Sequence, residues 1–522
     1  METQDSPGGA VGTQTDRHSW MVLGSVSSGL LLYALTSTTL GVALPTITAD
    51  FGASFTTIAW VSVIFFMVHS TLMPVMGRAG DLYGRKRLFI FGLSLFTIMS
   101  LFCALAWNVE SLIAGRAVMA VGTAALPPMA LAYAYSAFPP ERKALAVGIM
   151  GGILGVAPVA GYLLGGVLVD AGNLVDFIGW RAIFLINFPL AAVIIPFALR
   201  ALKETEPSPE GRDFDVPGAA LLVAGLVCLA LGVNKGGEWG WTSPRILGVF
   251  IAAPALLLLF VLREGSCRRP LVSLGLFRYR SLTTANIAGF FITGGLFGSM
   301  LVLPFYFASV LELSSTWIGL AAAPVAVTYA MFAPVGGSLT ARFGGRVTLI
   351  GGLLISAAGY LLVSRALSVP PGAEFILGAG GAIEAKYFAA LIVAAAVGLV
   401  GVGIGLCWAP VDNTALYDVP AHKRGLAASL PNMSRFIGGS IASAGLMAFL
   451  SWRMTERLIG IGIPVAEAEA FTGTSMEPLS PVYKQAAAQA YHDVFLFTLI
   501  FIAAAILAAL AMPQVKTGRK DQ

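Results

Sequence analysis

Ionisable side chains interrupt several long apolar stretches of this sequence. They are His69 in FFMVHSTLMP, Arg116 in LIAGRAVMAVG, Asp412 in CWAPVDNTAL and Arg435 in SRFIGGS. A charged side chain at the centre of a lipid bilayer costs at least about 2.5 kcal/mol, so such residues face partners, cavities or solute pathways. Histidine titrates near neutral pH, and a carboxylate can exchange a proton. The chemistry that these residues predict is proton binding and recognition of charged groups inside a membrane.

We rank Asp412 first and His69 second as candidates for proton coupling. Asp412 is about 9 Å along its helix from the loop that begins near Asp418. Alternatively, its carboxylate reaches cytoplasmic water or caps a helix that is broken after Pro410. His69 is about 12 Å from the cytoplasmic end of its helix, near mid-membrane. Alternatively, it is a neutral structural histidine that hydrogen-bonds to a neighbouring helix.

The two arginines also have structural interpretations. Arg116 is several residues inside its apolar stretch and must face a cavity or a partner, unless its long side chain extends to the outer interface. Arg435 is about 15 Å from the cytoplasmic end of its helix and could serve as a structural hydrogen-bond donor.

The composition places these residues in a membrane protein. The chain has 522 residues, of which 57% are hydrophobic and 11% charged, whereas a soluble domain has about 25% charged residues. The net charge of +5 is spread over short loops, so we expect no nucleic-acid binding. The four cysteines form no CxxC pair, and no metal site is expected. The ATP-binding pattern GxxxxGK[ST] and the hydrolase pattern GxSxG are both absent.

Apolar windows of about 20 residues, the length needed to cross a bilayer, predict fourteen transmembrane helices. The predicted spans are 20–46, 57–76, 88–107, 111–136, 144–169, 181–200, 217–234, 244–263, 284–306, 316–336, 347–366, 387–414, 425–450 and 491–511. Most lysines and arginines outside these windows fall on one side, which predicts that both termini are cytoplasmic. Tryptophans near the span ends, such as Trp60 and Trp180, are expected to anchor at the interface. The KQAAAQAYH stretch before the last span is a possible surface helix.

Two short repeats indicate an internal duplication. GRAGDLYGRKR, at 77–87, is echoed by GSLTARFGGR at 337–346, and FPPERKALA, at 138–146, is echoed by VPAHKRGLA at 419–427. Parallel repeats of this kind are typical of transporters whose binding site lies where the two halves meet. The predicted fold is all-α, with two six-helix bundles related by pseudo-twofold symmetry and two extra helices between them. The predicted parts are a tail at 1–19, a bundle at 20–200, a linker at 201–216, two inserted helices at 217–263, a loop at 264–283, a bundle at 284–511 and a tail at 512–522.

The sequence resembles the major facilitator superfamily, within it the fourteen-span branch known mainly for drug/proton antiporters. The landmarks that carry this resemblance are the 77–87 loop, ALPTI at 43–47, WRAIFLINFPLA at 180–191, FDVPG at 214–218, EWGW at 238–241 and RFIGGS at 435–440. The resemblance implies a conformational latch in the loop after the second span. Its residues are Gly77, Asp81, Gly84, Arg85 and Lys86. The resemblance also makes Arg116 a third candidate for proton coupling, because it occupies what looks like the span-four arginine position that the family uses in proton handling.

The chain departs from the branch pattern at several sites. Thr36 occupies the position where the branch usually has an aspartate, and Tyr162 replaces the proline of GPxxGG. In the fourth span, Met119 and Ala120 replace the expected glutamine and glycine. The missing carboxylate weakens an assignment to cationic drugs. The candidates for lining a substrate cavity are Thr36, Phe65, Phe66, Met67, Tyr162, Asn432 and Arg435, although aromatic residues on membrane helices mostly face lipid or pack in the core.

We therefore expect a secondary active transporter of the plasma (inner) membrane that exports lipophilic or amphipathic small molecules by proton antiport with alternating access. We expect no cofactor besides the proton gradient, no enzymatic activity and a monomer in the lipid bilayer. A facilitator or uptake transporter for a metabolite or organic anion is the alternative, and Arg116 and Arg435 would suit an anion. A membrane sensor or lipid-modifying enzyme would require a soluble module or catalytic cluster, and neither is visible.

Overall fold

In the computed structural model, the described residues are 11–175, 177–205, 215–267, 274–368, 385–420, 427, 430–465, 468 and 481–513. These residues form helices and connecting turns, and no β-strand occurs among them. The predicted linker, the loop at 264–283 and both tails lie partly outside the described residues.

The helices are long because each must cross an apolar layer. They are α1 Val11–Phe51, α2 Phe55–Tyr83, α3 Arg85–Ala104, α4 Val109–Ala124, α5 Leu126–Ala137, α6 Pro140–Gly172, α7 Ala182–Leu185, α8 Asn187–Ala201, α9 Val216–Trp239, α10 Pro244–Ser266, α11 Arg280–Ser309, α12 Ser315–Phe343, α13 Gly345–Leu367, α14 Ala385–Ala415, α15 Leu430–Gly460 and α16 Pro481–Ala511. Together they provide 14 segments long and apolar enough to span a membrane. The all-α fold and the fourteen predicted spans are confirmed.

Two of these segments are broken helices. In the fourth span, α4 ends at Ala124 and α5 begins at Leu126, because Pro127 and Pro128 cannot donate the backbone hydrogen bonds that would continue α4. The sixth span is built from a 3-10 turn at Gly179–Arg181 followed by α7 and α8.

The two echoed loops have the same backbone geometry. Gly84 joins α2 to α3 with φ of 101°, and Gly344 joins α12 to α13 with φ of 88°. Only glycine adopts this region without strain, and a single residue suffices to reverse the chain there. We call the membrane side that carries these loops the basic side and the other the opposite side.

We call α1–α8 the first half, α11–α16 the second half, and α9–α10 the inserted pair. The halves pack internally through small residues, as membrane helices commonly do. For example, a Cβ at Gly92 would lie 2.7 Å from the carbonyl oxygen of Gly122. The two halves meet mainly along two seams, α6 against α12 and α2 against α15. α1 makes smaller contacts with α11 and α12, and α9 packs over the second seam.

Two sequence interpretations are wrong. The KQAAAQAYH stretch is not a surface helix, because α16 begins at Pro481 and runs without a break through it; Ala486 and Ala487 in this stretch are buried by neighbouring helices. Trp60 and Trp180 are not lipid-interface anchors, because both are buried and hydrogen-bonded to Asn234 and Asp50 respectively.

Candidate functional site

The α6–α12 seam is closed on the opposite side. A Cβ at Gly319 would overlap the carbonyl oxygen of Tyr162, and a Cβ at Gly166 would overlap that of Ser315. Asp170, at the end of α6, accepts hydrogen bonds from the backbone N–H groups of Ser315 (3.0 Å) and Thr316 (2.8 Å). The carboxylate thus caps α12 across the seam, where the helix dipole favours a negative charge.

The same seam is open on the basic side. Gly148, Gly152, Gly155 and Gly166 share one face of α6, because they are spaced by three, four or eleven residues. Gly155 still approaches Ala330 of α12, with 3.4 Å between an added Cβ and the alanine Cβ. At Gly148 and Gly152, no atom lies within 4 Å of an added Cβ. The halves therefore separate towards the basic side, and the structure is open to that side.

Tyr162 belongs to the closed part of the seam. It is buried, and its backbone contacts Gly319. The tyrosine that replaces the branch proline therefore lies at the contact between the halves rather than on the open face.

Thr36 lies within the first half and not in an open cavity. Its Oγ1 is 2.8 Å from the Leu32 carbonyl oxygen and 3.1 Å from Asn187 Oδ1. Asn187 in turn donates to Ser100 Oγ at 2.9 Å. Thr36 and Asn187 are almost completely buried. At the position of the missing aspartate, the chain has an uncharged network that joins α1, α3 and α8.

His69 is enclosed by aromatic rings at the α2–α15 seam. It stacks on Tyr33 with ring centroids 4.7 Å apart, and it meets the edge of Phe436 from the second half at 5.5 Å. Its Nδ1 is 3.1 Å from Thr123 Oγ1. Because the Thr123 hydroxyl donates to the Ala120 carbonyl at 3.1 Å, its oxygen is left to accept, and Nδ1 is the ring nitrogen that carries the proton.

The other ring nitrogen of His69 is a buried base without a partner. Nε2 has no hydrogen-bond partner, and the residue is fully buried. Buried polar atoms are usually paired, so an orphan acceptor at the contact between the halves calls for a functional explanation. The expected hydrogen bond to a neighbouring helix exists, and it leaves one nitrogen free to bind a proton.

Arg116 is fully buried, which excludes extension to the outer interface. Its Nε donates to the Val61 carbonyl at 3.2 Å, and its guanidinium lies 3.8 Å from the ring centroid of Phe65. Nη1 contacts the sulfur of Met119, whereas Nη2 has no partner. No carboxylate forms an ion pair with Arg116 in the part of the chain that the structure describes.

The remaining aromatic candidates differ in position. Phe65 is buried between Arg116 and His69, and Met67 is fully buried. The Phe66 ring contacts the second half, and its centroid is 5.1 Å from that of Phe297. Of these three candidates, Phe66 is the one at the surface between the halves.

Asp412 and Arg435 form an ion pair, which the sequence did not reveal. Nη2 of Arg435 is 2.8 Å from Oδ1 of Asp412. The arginine side chain is 4% exposed and the aspartate side chain 46% exposed. Asn432 accepts from Arg435 Nη1 at 3.2 Å, and the guanidinium lies 4.0 Å from the centroid of a Trp408 ring. The pair lies near the basic end of α14, on the side where the halves separate.

An open groove of about 280 Å³ runs along α11 beside Ser434 of α15. Phe290, Phe291 and Asn286 of α11 line it. Asn286 is buried, and its Oδ1 has no hydrogen-bond partner. A groove this open lacks the enclosure of a typical site for a small molecule.

The residues of the implied latch contact their own half. Arg85 forms an ion pair of 2.9 Å with Asp81 one helical turn earlier. Lys86 donates to the Leu199 carbonyl oxygen at 2.7 Å. A Cβ at Gly84 would overlap the carboxylate of Glu204 at the end of the first half.

The glycines of the latch loop are packed. A Cβ at Gly77 would lie 3.4 Å from Pro128, and one at Gly80 would overlap the Met129 side chain. In this state the loop is fastened to the first half and makes no bridge to the second half among the described residues. A latch that closes the basic side would be open here.

Sequence reasoning missed several residues that join helices. They are Asp170, Asn187, Glu204, Asn234 and Trp408. The available signal was an isolated polar residue in an apolar run, which applies to Asn187 and Asn234, because a membrane helix seldom buries an amide without a partner. The described residues contain no cluster of potential metal ligands.

Comparison with known proteins decides the family. The sequence profile of the Major Facilitator Superfamily matches residues 26–443. The chain belongs to this superfamily. Within the superfamily, it is 27% identical to "Multidrug transporter protein MdtP" of Bacillus subtilis, over 93% of this chain and 92% of the relative. It is 28% identical to the "Tetracenomycin C resistance and export protein" of Streptomyces glaucescens, over 87% of this chain and 81% of the relative.

Solved structures support the major facilitator fold. A bacterial homologue of the human lysosomal transporter Spinster, in an inward-facing and unoccupied conformation, superimposes with a TM-score of 0.68 at 18% identity. The match covers 95% of this chain and 98% of that structure. Together with its superfamily membership and the transporters among its relatives, the spans make the chain a multi-pass membrane transporter of a small molecule.

Proposed function

We propose that this transporter exports lipophilic or amphipathic small molecules from the cytoplasm across the plasma membrane. The names of its relatives, which include multidrug and antibiotic export proteins, support this direction and substrate class. The aromatic surface around Phe66, where the halves meet, suits such molecules. We place both termini and the basic side in the cytoplasm, because lysine and arginine are enriched there.

One observation carries the mechanism: the halves touch on the opposite side and separate on the basic side. The close approach of Gly166 to Ser315, and the open space beside Gly148 and Gly152, mark the two ends of one seam. A solute can then enter from the basic side, and closure of Gly148 and Gly152 against α12 would reverse the access. We propose that one chain suffices for this cycle.

We propose that the proton gradient drives this cycle and that Asp412 is the coupling residue. Its carboxylate faces water on the open side, while its partner Arg435 is buried. Protonation would remove the charge that balances Arg435, and the guanidinium would then need another partner. Nothing but the proton gradient is proposed as an energy source, and no cofactor is required.

His69 is the second proposed proton site. Its Nε2 is an unoccupied base, and Phe436 of the second half covers its ring. Relative movement of the halves would change how far Phe436 shields the His69 ring from water. Arg116 contacts the same Phe65 ring as this group.

An anion transporter is the second candidate function. The observation in its favour is Arg116, whose Nη2 has no partner and which has no carboxylate beside it in the described part of the chain. In this alternative the protein would move an organic anion down its own gradient, without exchange of protons.

The test is transport in liposomes of purified protein. We expect export of a lipophilic dye to accelerate when a pH gradient is imposed and to slow when an ionophore collapses it. Dye transport that ignores the gradient would remove the antiport proposal. Uptake of a labelled organic anion without proton movement would favour the alternative.

A further inference from the structure

The inserted pair, α9–α10, has no role in the cycle described so far. α9 packs against both α2 of the first half and α15 of the second half. It therefore covers the α2–α15 seam, which must open when the transporter faces the opposite side. A helix in that position must either move with one of the halves or oppose the opening of the seam.

Asn234 of α9 hydrogen-bonds to both halves at once. Its Oδ1 accepts from Trp60 Nε1 of α2 at 2.9 Å, and its Nδ2 donates to the Ala444 carbonyl of α15 at 3.1 Å. The indole can only donate and the carbonyl can only accept, so both ends of the amide are matched. Asn234 is 1% exposed, and no water competes for these bonds.

A second group fastens α9 to the first half alone. Lys235 donates to Thr57 Oγ1 at 2.9 Å and forms an ion pair of 2.6 Å with Glu238. The other oxygen of Glu238 accepts from Thr56 in the first turn of α2 and from Ser54, which is the N-cap of α2. Polar groups on α9 thus have several partners in α2.

The contact of α9 with the second half is simpler. Besides the bond from Asn234 to Ala444, α9 places Val233 against Gly445, whose added Cβ would lie 3.3 Å from the valine. Small-residue packing of this kind can separate without leaving buried polar groups unpaired, whereas the α2 contact cannot.

We propose that α9 is a clamp on the opposite side of the α2–α15 seam and that Asn234 is its positioning residue. α9 moves with the first half. The bond from Asn234 to Ala444 is the one that breaks when the seam opens to the opposite side. This proposal requires alternating access but neither proton coupling nor a particular substrate, so a failure of the proposed drug export leaves it testable.

The first experiment measures the balance between the two states. Spin labels on Leu174→Cys and Ile461→Cys report the distance across the opposite side, because the wild-type residues are exposed at ends of the two halves. Cys228 and Cys267 are replaced by serine to prevent side labelling, since they are only partly buried.

An interhelical hydrogen bond in a membrane changes an equilibrium constant by about threefold. Asn234→Leu removes the bond to Ala444, the one that is lost on opening, and should shift the ratio towards the opposite-side-open state by about threefold. Trp60→Phe removes a bond that both states keep, because α2 and α9 move together, and should leave the ratio unchanged. Asp170→Asn, which weakens the other seam, should shift the ratio in the same direction as Asn234→Leu.

Asn187→Leu is the matched control. Asn187 is an equally buried asparagine with two interhelical hydrogen bonds, and both partners, Thr36 and Ser100, lie in the first half. It should lower thermal stability without changing the distance distribution. If Asn234→Leu changed stability but not the distance distribution, the clamp proposal would be overturned. Asn234→Ala, which also removes the bond to Ala444, gives the same decision if the leucine variant does not fold.

The second experiment tests which half carries α9. A cross-link between Val233→Cys and Gly445→Cys should arrest transport, and a reducing agent should restore it. A cross-link between Ser54→Cys and Glu238→Cys, made with a short bifunctional thiol reagent, should leave transport running. The reverse pattern would show that α9 moves with the second half and would overturn the assignment.

Discussion

Replacing Asp412 by asparagine removes the negative charge of the side chain but keeps its shape. The amide oxygen of asparagine can still accept from Arg435 Nη2, which is 2.8 Å from the carboxylate in the wild type. Arg435 also retains Asn432 and the Trp408 ring. The variant should therefore keep the local geometry while losing the negative charge and the exchangeable proton.

The expected loss of stability follows from the unequal burial of Asp412 and Arg435. Breaking a fully buried pair costs about 3–5 kcal/mol, and an exposed pair is worth about 0–1 kcal/mol. The arginine side chain is 4% exposed and the aspartate 46%. We expect Asp412→Asn to cost about 1–2 kcal/mol, a value between those limits that leaves a folded protein.

The assay is dye export by proteoliposomes at several imposed pH gradients. Wild-type export should increase with the gradient, and Asp412→Asn should export at a slow rate that the gradient does not alter. Asp50→Asn is the matched control, because Asp50 also pairs with an arginine, Arg181 at 3.2 Å, and its side chain is 42% exposed. That variant should keep the wild-type response.

A pH response of Asp412→Asn equal to that of the wild type would refute the coupling assignment. The double variant Asp412→Asn with Arg435→Gln gives a further check. If the single variant is destabilised because Arg435 is left unbalanced, the double variant should recover part of the lost thermal stability. No recovery would mean that the pair is not coupled energetically.

Three further predictions follow from individual contacts. His69→Phe keeps the ring stacking but removes Nε2. It should abolish part of the pH dependence of export and leave solute exchange without a gradient intact. An unchanged pH profile would make His69 a purely structural residue. Gly166→Val places side-chain atoms on the Ser315 carbonyl and should hold the opposite side open. A longer distance between spin labels on Leu174→Cys and Ile461→Cys would report this opening, whereas an unchanged distance would mean that this contact is not required for closure. Gly84→Ala forces a side chain into a backbone with φ of 101° and against Glu204, so we expect a loss of about 1–3 kcal/mol in stability. Thermal unfolding in detergent measures this loss. An unchanged midpoint of unfolding would contradict the tight turn.

The membrane helices were predictable from sequence because bilayer thickness sets their length and lipid sets their composition. The two glycine hairpins were also predictable, since Gly84 and Gly344 occupy echoed positions. The error at the start of α16 has a simple cause. Lys484, Gln485 and Gln489 lower the hydropathy of a stretch whose alanines nevertheless pack against other helices.

The pairing of side chains was not predictable. Asp412 and Arg435 are on different helices, and each had its own interpretation until the structure placed them 2.8 Å apart. Burial of Arg116 was expected, but its lack of a carboxylate neighbour depends on how α4 is rotated. The hydropathy pattern of a helix that is apolar on all sides does not define that rotation.

The bare face of α6 at Gly148 and Gly152 has a consequence for mutational screens. No atom lies within 4 Å of a Cβ added at either position, so we expect a larger residue there to leave folding and expression untouched. The same residue would obstruct the state in which the basic side is closed. A screen for protein abundance should therefore pass changes at these glycines that a screen for drug survival rejects.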